Sequence, residues 1–215
     1  MKVAVISASL GGIDDAKHHT EQTVPYDYFL FTDQNFPPRF NSMTPRLQAK
    51  IPKFFGWQLK PGYDYYVWID GAITMSHPDT LKWLVENCDG VDLATFKHDK
   101  RTRIEDEARR IRKSLEQGSR YMSSRYTNEW LDEQMAEIHA DKDYVDDTLA
   151  AAGVFIYKNT SKAHDVLKEW WYHVSRYLIQ DQLAFPYVLK TSGIKFKMIP
   201  EIYWDCKYIK YTRHD

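Results

Sequence analysis

YDYYVWIDGAI, residues 63–73, is an unbroken aromatic and β-branched run that stops at an aspartate followed by a glycine. Tyr65 to Asp70 reads as a β-strand covered on both faces, because no polar residue alternates within it. In an open α/β sheet, ligands bind outside the carboxyl ends of the strands. Asp70 stands at such an end, and Gly71 lets a ligand approach the backbone. Upstream, Val3 to Ser7 and Tyr26 to Thr32 (stopped by Asp33) read as two further strands. Thr44-Pro45 marks a helix start, with an N-cap and a proline in the first turn, leading into Arg46 to Leu59. Pro52 is expected to kink that helix, since it lacks an N–H and clashes with the preceding turn.

Downstream the alternation continues. A helix is expected over Asp79 to Cys88, a strand over Val91 to Phe96 and a strand over Leu149 to Tyr157. Helices over Ser161 to Leu178 and Gln180 to Leu189 and a strand over Ile194 to Ile199 complete it. This order predicts an α/β fold with a mostly parallel central sheet flanked by helices. A helix-rich insert over 97–147 breaks the pattern. Lys97 to Arg125 carries ten basic and five acidic residues, while Asn128 to Asp147 carries one basic and eight acidic ones. Such runs form solvated faces, or a basic arm bordering an anionic ligand.

The 215 residues suit one domain, divided into a ligand-binding half over about 1–75 and a second half over about 76–215, and further domains are compatible with it. The net charge of −1 excludes a polycationic nucleic-acid binder, and no apolar stretch is long enough to span a membrane. Aromatic residues make up 15%, which suits a large core and also surfaces that stack on sugar rings. The short apolar start runs into Gly11-Gly12 and Asp14-Asp15, as a first buried strand does and a secretion signal does not. Cys88 and Cys206 form no zinc spacing. A soluble cytoplasmic protein is the expectation. The eight histidines, from His18 to His214, are scattered, and P-loop, GxGxxG, HExxH and GxSxG patterns are missing.

The strand-Asp-Gly end resembles the Asp-x-Asp element of GT-A glycosyltransferases. SASLGG after strand one, FTD after strand two and TPRLQAKIPKFF before WIDG strengthen the likeness, as do KHDKRTRIEDEARRI, AAGVFIYKN and QDQLAF. In order, these pieces resemble a GT-A-like family long labelled a domain of unknown function. That family occurs in plant Golgi proteins, in bacteria and in the amino-terminal domain of a chlorella-virus capsid glycosyltransferase. The resemblance implies transfer of a hexosyl or deoxyhexosyl group from a nucleotide-diphosphate donor, a UDP-sugar, to a saccharide or glycoprotein. A viral member would act in the host cytoplasm. It also implies Mn2+ or Mg2+ held at Asp70. Here the second carboxylate of the element is replaced by Ala72, and Asp64 lies about 20 Å back along the strand, so metal dependence is in question. A non-catalytic nucleotide-sugar or glycan-binding domain and a nucleotidyltransferase are the alternatives.

A departing diphosphate needs positive charge where its own charge develops. Arg46, Lys50 and Lys53 recur at i, i+4 and i+7, and the resemblance places their helix beside the donor, making Arg46 and Lys50 phosphate candidates. Ser7, Ala8 and Ser9 would let a nucleoside lie against the backbone. Thr32 and Asp33 would meet the base or ribose, and Asp70, Gly71 and Ala72 complete the donor set. Asp181-Gln182 resembles the Asp-Gln pair that opens a helix near the reaction centre in GT-A enzymes. Asp181 is the expected general base, with His98 in reserve. Arg101, Arg103 and Gln182 are expected at the donor sugar or acceptor. Tyr203, Trp204 and Tyr208 would stack on a sugar or dock on the core.

Overall fold

The computed structural model describes residues 1–13, 17–39 and 42–212; Asp14, Asp15 and His214 lie outside them. The strands β1 (Val3–Ser9), β2 (Tyr26–Thr32) and β3 (Tyr65–Ile69) carry the first half. After β4 (Ile73–Met75) come β5 (Leu93–Lys97), β6 (Ala150–Lys158), β7 (Phe196–Ile199) and β8 (Ile209–Tyr211). Six of them form one sheet in the order β2-β1-β3-β6-β5-β7, with β4 and β8 paired separately. Within the large sheet β6 alone runs against its neighbours. The carboxyl ends of β1, β3, β5 and β7 therefore open onto one edge.

Alternation along each strand divides the core. Ala4, Ile6, Tyr66, Trp68, Phe155 and Tyr157 face α1 (Pro45–Leu59), α6 (Ser161–Arg176) and α7 (Asp181–Thr191). Val3, Val5, Val67, Ile69, Val154 and Ile156 face α2 (Thr80–Asn87) and the carboxyl-terminal segment. Because both faces are covered, the strands read as continuous apolar runs. The 97–147 region holds three helices, α3 (Ile104–Glu116), α4 (Arg120–Tyr126) and α5 (Leu131–Ala140), which build a third cluster with the start of α7.

α1 begins as the sequence indicates, with Thr44 Oγ1 accepting from Leu47 N at 3.2 Å and Pro45 in the first turn. Its irregularity lies three residues beyond Pro52, at Phe55 (φ −120°, ψ 20°). There Gly56 comes so close to β1 that an added Cβ would stand 3.0 Å from Ile6 Cγ1. The β4–β8 pair was not expected. Its three-residue strands are too short to show a period, yet it fastens the tail across the end of WIDG, where Thr212 N donates to Ala72 O at 2.9 Å.

Candidate active site

A cavity of about 440 Å³ opens along the carboxyl edge of the sheet. Ala8 near the end of β1 and Leu10 beyond it, Arg46 and Lys50 of α1, and Asp70, Gly71 and Ala72 beyond β3 line one end. His98, Arg101, Asp181, Gln182 and Trp204 line the remainder.

Its floor is an alternating set of charges. The Asp181 carboxylate, buried at the first residue of α7, accepts from Lys50 Nζ at 2.5 Å and from Lys53 Nζ at 2.7 Å. Lys53 also donates to Ala152 O at 2.8 Å and stands 3.5 Å from Asp70 Oδ1. Trp68 Nε1 donates to the same Asp70 oxygen at 2.6 Å. The packing fixes this set: Trp170 Nε1 donates to Asp181 O at 2.8 Å, and its indole stacks on Phe185 at 3.6 Å. Burial alone would raise the Asp181 carboxyl, but Lys50 and Lys53 outweigh it and hold it at about 2. Burial lowers Lys50, with Lys53 adding to the effect against Asp181 and Asp70. Burial also opposes the charge on Lys53, but Asp181 and Asp70 prevail and raise it.

Gly153 of β6 supplies the room. A Cβ there would stand 2.0 Å from Tyr203 Oη and 3.1 Å from Asp70 Oδ2. Tyr203 is buried, edge-on to Phe96, while Trp204 is 47% exposed at the cavity and donates from Nε1 to Asp99 Oδ1 at 3.0 Å. Tyr208 instead stacks on Trp83 at 4.3 Å, docked on the core.

The surroundings of the two expected bases, Asp181 and His98, argue against that role. Asp181 is ill suited as a general base, because a carboxylate clamped by two ammonium groups with a pKa of about 2 has little proton affinity near neutrality. His98 Nδ1 accepts from Lys100 N and Arg101 N, both at 3.1 Å. Its Nε2 lies 3.3 Å from Arg101 Nη2, so both ring nitrogens are already in contact with the turn and with Arg101. Burial and Arg101 lower its pKa. His98 shapes the turn that presents Arg101.

Other expected residues stand away from the cavity lining. Ser7 is buried in β1 and hydrogen-bonded to Tyr28. Ser9 ends β1, paired with Thr32. Thr32 N donates to Asn35 Oδ1 at 2.8 Å, and Asp33 Oδ2 accepts from Gly11 N at 2.9 Å, so these two shape turns. Arg103, half exposed, lies 3.6 Å from Asp146.

The implied divalent cation does not fit the residues present. Asp70 brings one carboxylate whose Oδ1 is already engaged by Trp68 and Lys53, and Ala72 brings none. Among the described residues no group of three or more His, Cys, Asp or Glu side chains has metal-binding spacing.

The insert adds side chains that sequence reading left as a polar run. Glu107, 1% exposed, accepts from Arg110 Nη2 at 2.5 Å and lies 2.5 Å from Arg101 Nε. Arg110, Arg125, Tyr121 and Tyr126 also line the cavity. Tyr126 Oη donates to Gln180 Oε1 at 2.7 Å, tying the insert to the residue before Asp181.

Comparison with solved structures finds a glycosyltransferase involved in the glycosylation of the major capsid of PBCV-1. It aligns at a TM-score of 0.51 and 8% identity, over 99% of this chain and 95% of that one. The A197 protein from STIV aligns at 0.41 and 12% identity, over 93% of this chain and 82% of that one. No curated protein matches in sequence. The first likeness is one of fold: a mixed α/β architecture with a mostly parallel sheet flanked by helices, shared with a glycosyltransferase. Among the described residues no helix is long and apolar enough to cross a membrane. Residues 39–214 match the family described as TOD1/MUCI70, glycosyltransferase-like domain, and the chain belongs to that family.

Proposed function

We propose that the protein transfers a hexosyl or deoxyhexosyl group from a UDP-sugar to a saccharide or glycoconjugate within this cavity. The observation that carries the reading is the Lys50–Asp181–Lys53–Asp70 array at the carboxyl edge of the sheet, beside the first turn of α1. The nucleoside lies against Ala8 and Leu10, and the diphosphate lies on Arg46 and Lys50 near the amino-terminal end of α1, whose dipole favours an anion. The bond between the anomeric carbon and the diphosphate oxygen breaks, the diphosphate keeps the bonding pair, and the acceptor oxygen forms the new bond as it loses its proton. Lys50 meets the charge that develops on the leaving group. Asp181 holds Lys50 and Lys53 in place.

The test is UDP release from a panel of UDP-sugars, with and without Mn2+, alongside UDP binding. One donor is expected to be hydrolysed above its uncatalysed rate, in chelator as well as in Mn2+. Tight UDP binding without release from any donor would favour a non-catalytic nucleotide-sugar-binding domain. Release that disappears in chelator would show that a metal, and not the lysines, carries the leaving-group charge.

A further inference from the structure

The arginines of the insert form a second charged pole of the same cavity, unused by the donor. Arg101 follows the carboxyl end of β5, a strand two positions, or about 10 Å, from β3 across the sheet. The nucleoside end lies on the other side of β3, over β1. Arg101 and Arg110 share one buried carboxylate, Glu107, so three guanidinium groups with Arg125 face a single compensating charge. Burial would raise Glu107, but Arg110 and Arg101 outweigh it and keep it ionised. The Arg125 guanidinium lies 4.0 Å from the Tyr121 ring centre, and its Nε is buried without a hydrogen-bond partner. Among the described residues no carboxylate pairs with Arg125. Tyr121 and Trp204, both about half exposed, add ring faces at the cavity.

We infer that Arg101, Arg110 and Arg125 form an acceptor subsite for a saccharide bearing an anionic oxygen group, a carboxylate or a phosphate. The inference rests on the donor reading above, which assigns the Lys50 end to the nucleotide. Guanidinium groups match both anions in bidentate geometry. Glu107 holds the Arg110 guanidinium through Nε and Nη2 and stands beside Arg101 Nε, so less side-chain freedom is lost on binding. Trp204 and Tyr121 offer stacking faces for the acceptor's sugar rings.

The experiment titrates the full chain, saturated with UDP and free of it, with methyl glucuronoside, methyl glucoside 6-phosphate and methyl glucoside. A charge-assisted contact is worth roughly 10- to 100-fold in affinity, so at least one anionic probe should bind about 10-fold or more tighter than the neutral one. Arg125→Gln, and separately Arg110→Gln, should erase that preference and leave UDP affinity within about 3-fold. The anion preferred names the source, uronate or phosphosugar, and either supports the subsite. Equal binding of the neutral probe overturns it. So does an Arg125→Gln protein that loses UDP as much as the anionic probe, since the cluster would then belong to the donor. If UDP fails to bind while the anionic preference persists, the donor reading falls and the anionic subsite stands.

Discussion

Lys53→Met is expected to cost about 3–5 kcal/mol of stability at pH 7, the usual loss when one partner of a buried ion pair is removed. Lys53 is 1% exposed, and its ammonium lies near the rings of Trp68, Trp170 and Phe155 at 5.4, 5.5 and 5.8 Å. Methionine would fill the space, but Ala152 O would lose its donor and Asp181 would keep only Lys50. Urea unfolding of the variant and the wild type measures the loss. It should also depend on pH. The folded Asp181 carboxyl sits at about 2, below its ordinary 3.8, so its pairing contributes fully above about pH 4 and is lost as pH falls toward 2. The gap between variant and wild type should narrow across that window. A loss below about 1 kcal/mol at pH 7 would mean that the buried pairs are not holding the floor together.

Gly153→Ala should cost about 1–3 kcal/mol or more and disturb the cavity at the same time. The new methyl would meet Tyr203 Oη at 2.0 Å. That ring is wedged edge-on between Phe96 and Trp204, with centroids at 5.3 and 4.9 Å, so it has little room to retreat. Movement of Tyr203 would carry Trp204 and shift Asp70, weakening UDP binding. Adding Tyr203→Phe removes the clashing atom and should restore part of the stability. Thermal melts of the single and double variants decide this. A Gly153→Ala protein as stable as wild type would show that the tail does not pack here.

The sheet was legible because its strands are apolar on both faces, and YYVWID and AAAGVFIYK carry that signal without help from partners. The residues of the proposed donor end stood out by the same logic: an aspartate where a buried strand stops, and cations at helical spacing just before it. The glycine within β6 went unread, although a strand interior seldom spares a side chain without cause. What it approaches, Tyr203, lies 50 residues on and has no sequence relation to it. Glu107, Arg110 and Arg125 belonged to a run that could be a solvated face or a basic arm, and the sequence could not choose, because burial of a carboxylate is decided by the helices packed above it. Asp181 was singled out as a base, and its lysine partners were not foreseen. A proton acceptor and a counter-ion look the same in one sequence, and only the two lysines at 2.5 and 2.7 Å separate them.

The central claim is that Lys50, supported by Asp181, carries the donor diphosphate. Calorimetric titration of UDP and of uridine, first in chelator and then in Mn2+, into wild type and Lys50→Met tests it. UDP should bind wild type in chelator, and Lys50→Met should weaken UDP about 10-fold or more while leaving uridine within about twofold. UDP binding that requires Mn2+, or equal weakening of UDP and uridine, would contradict the claim.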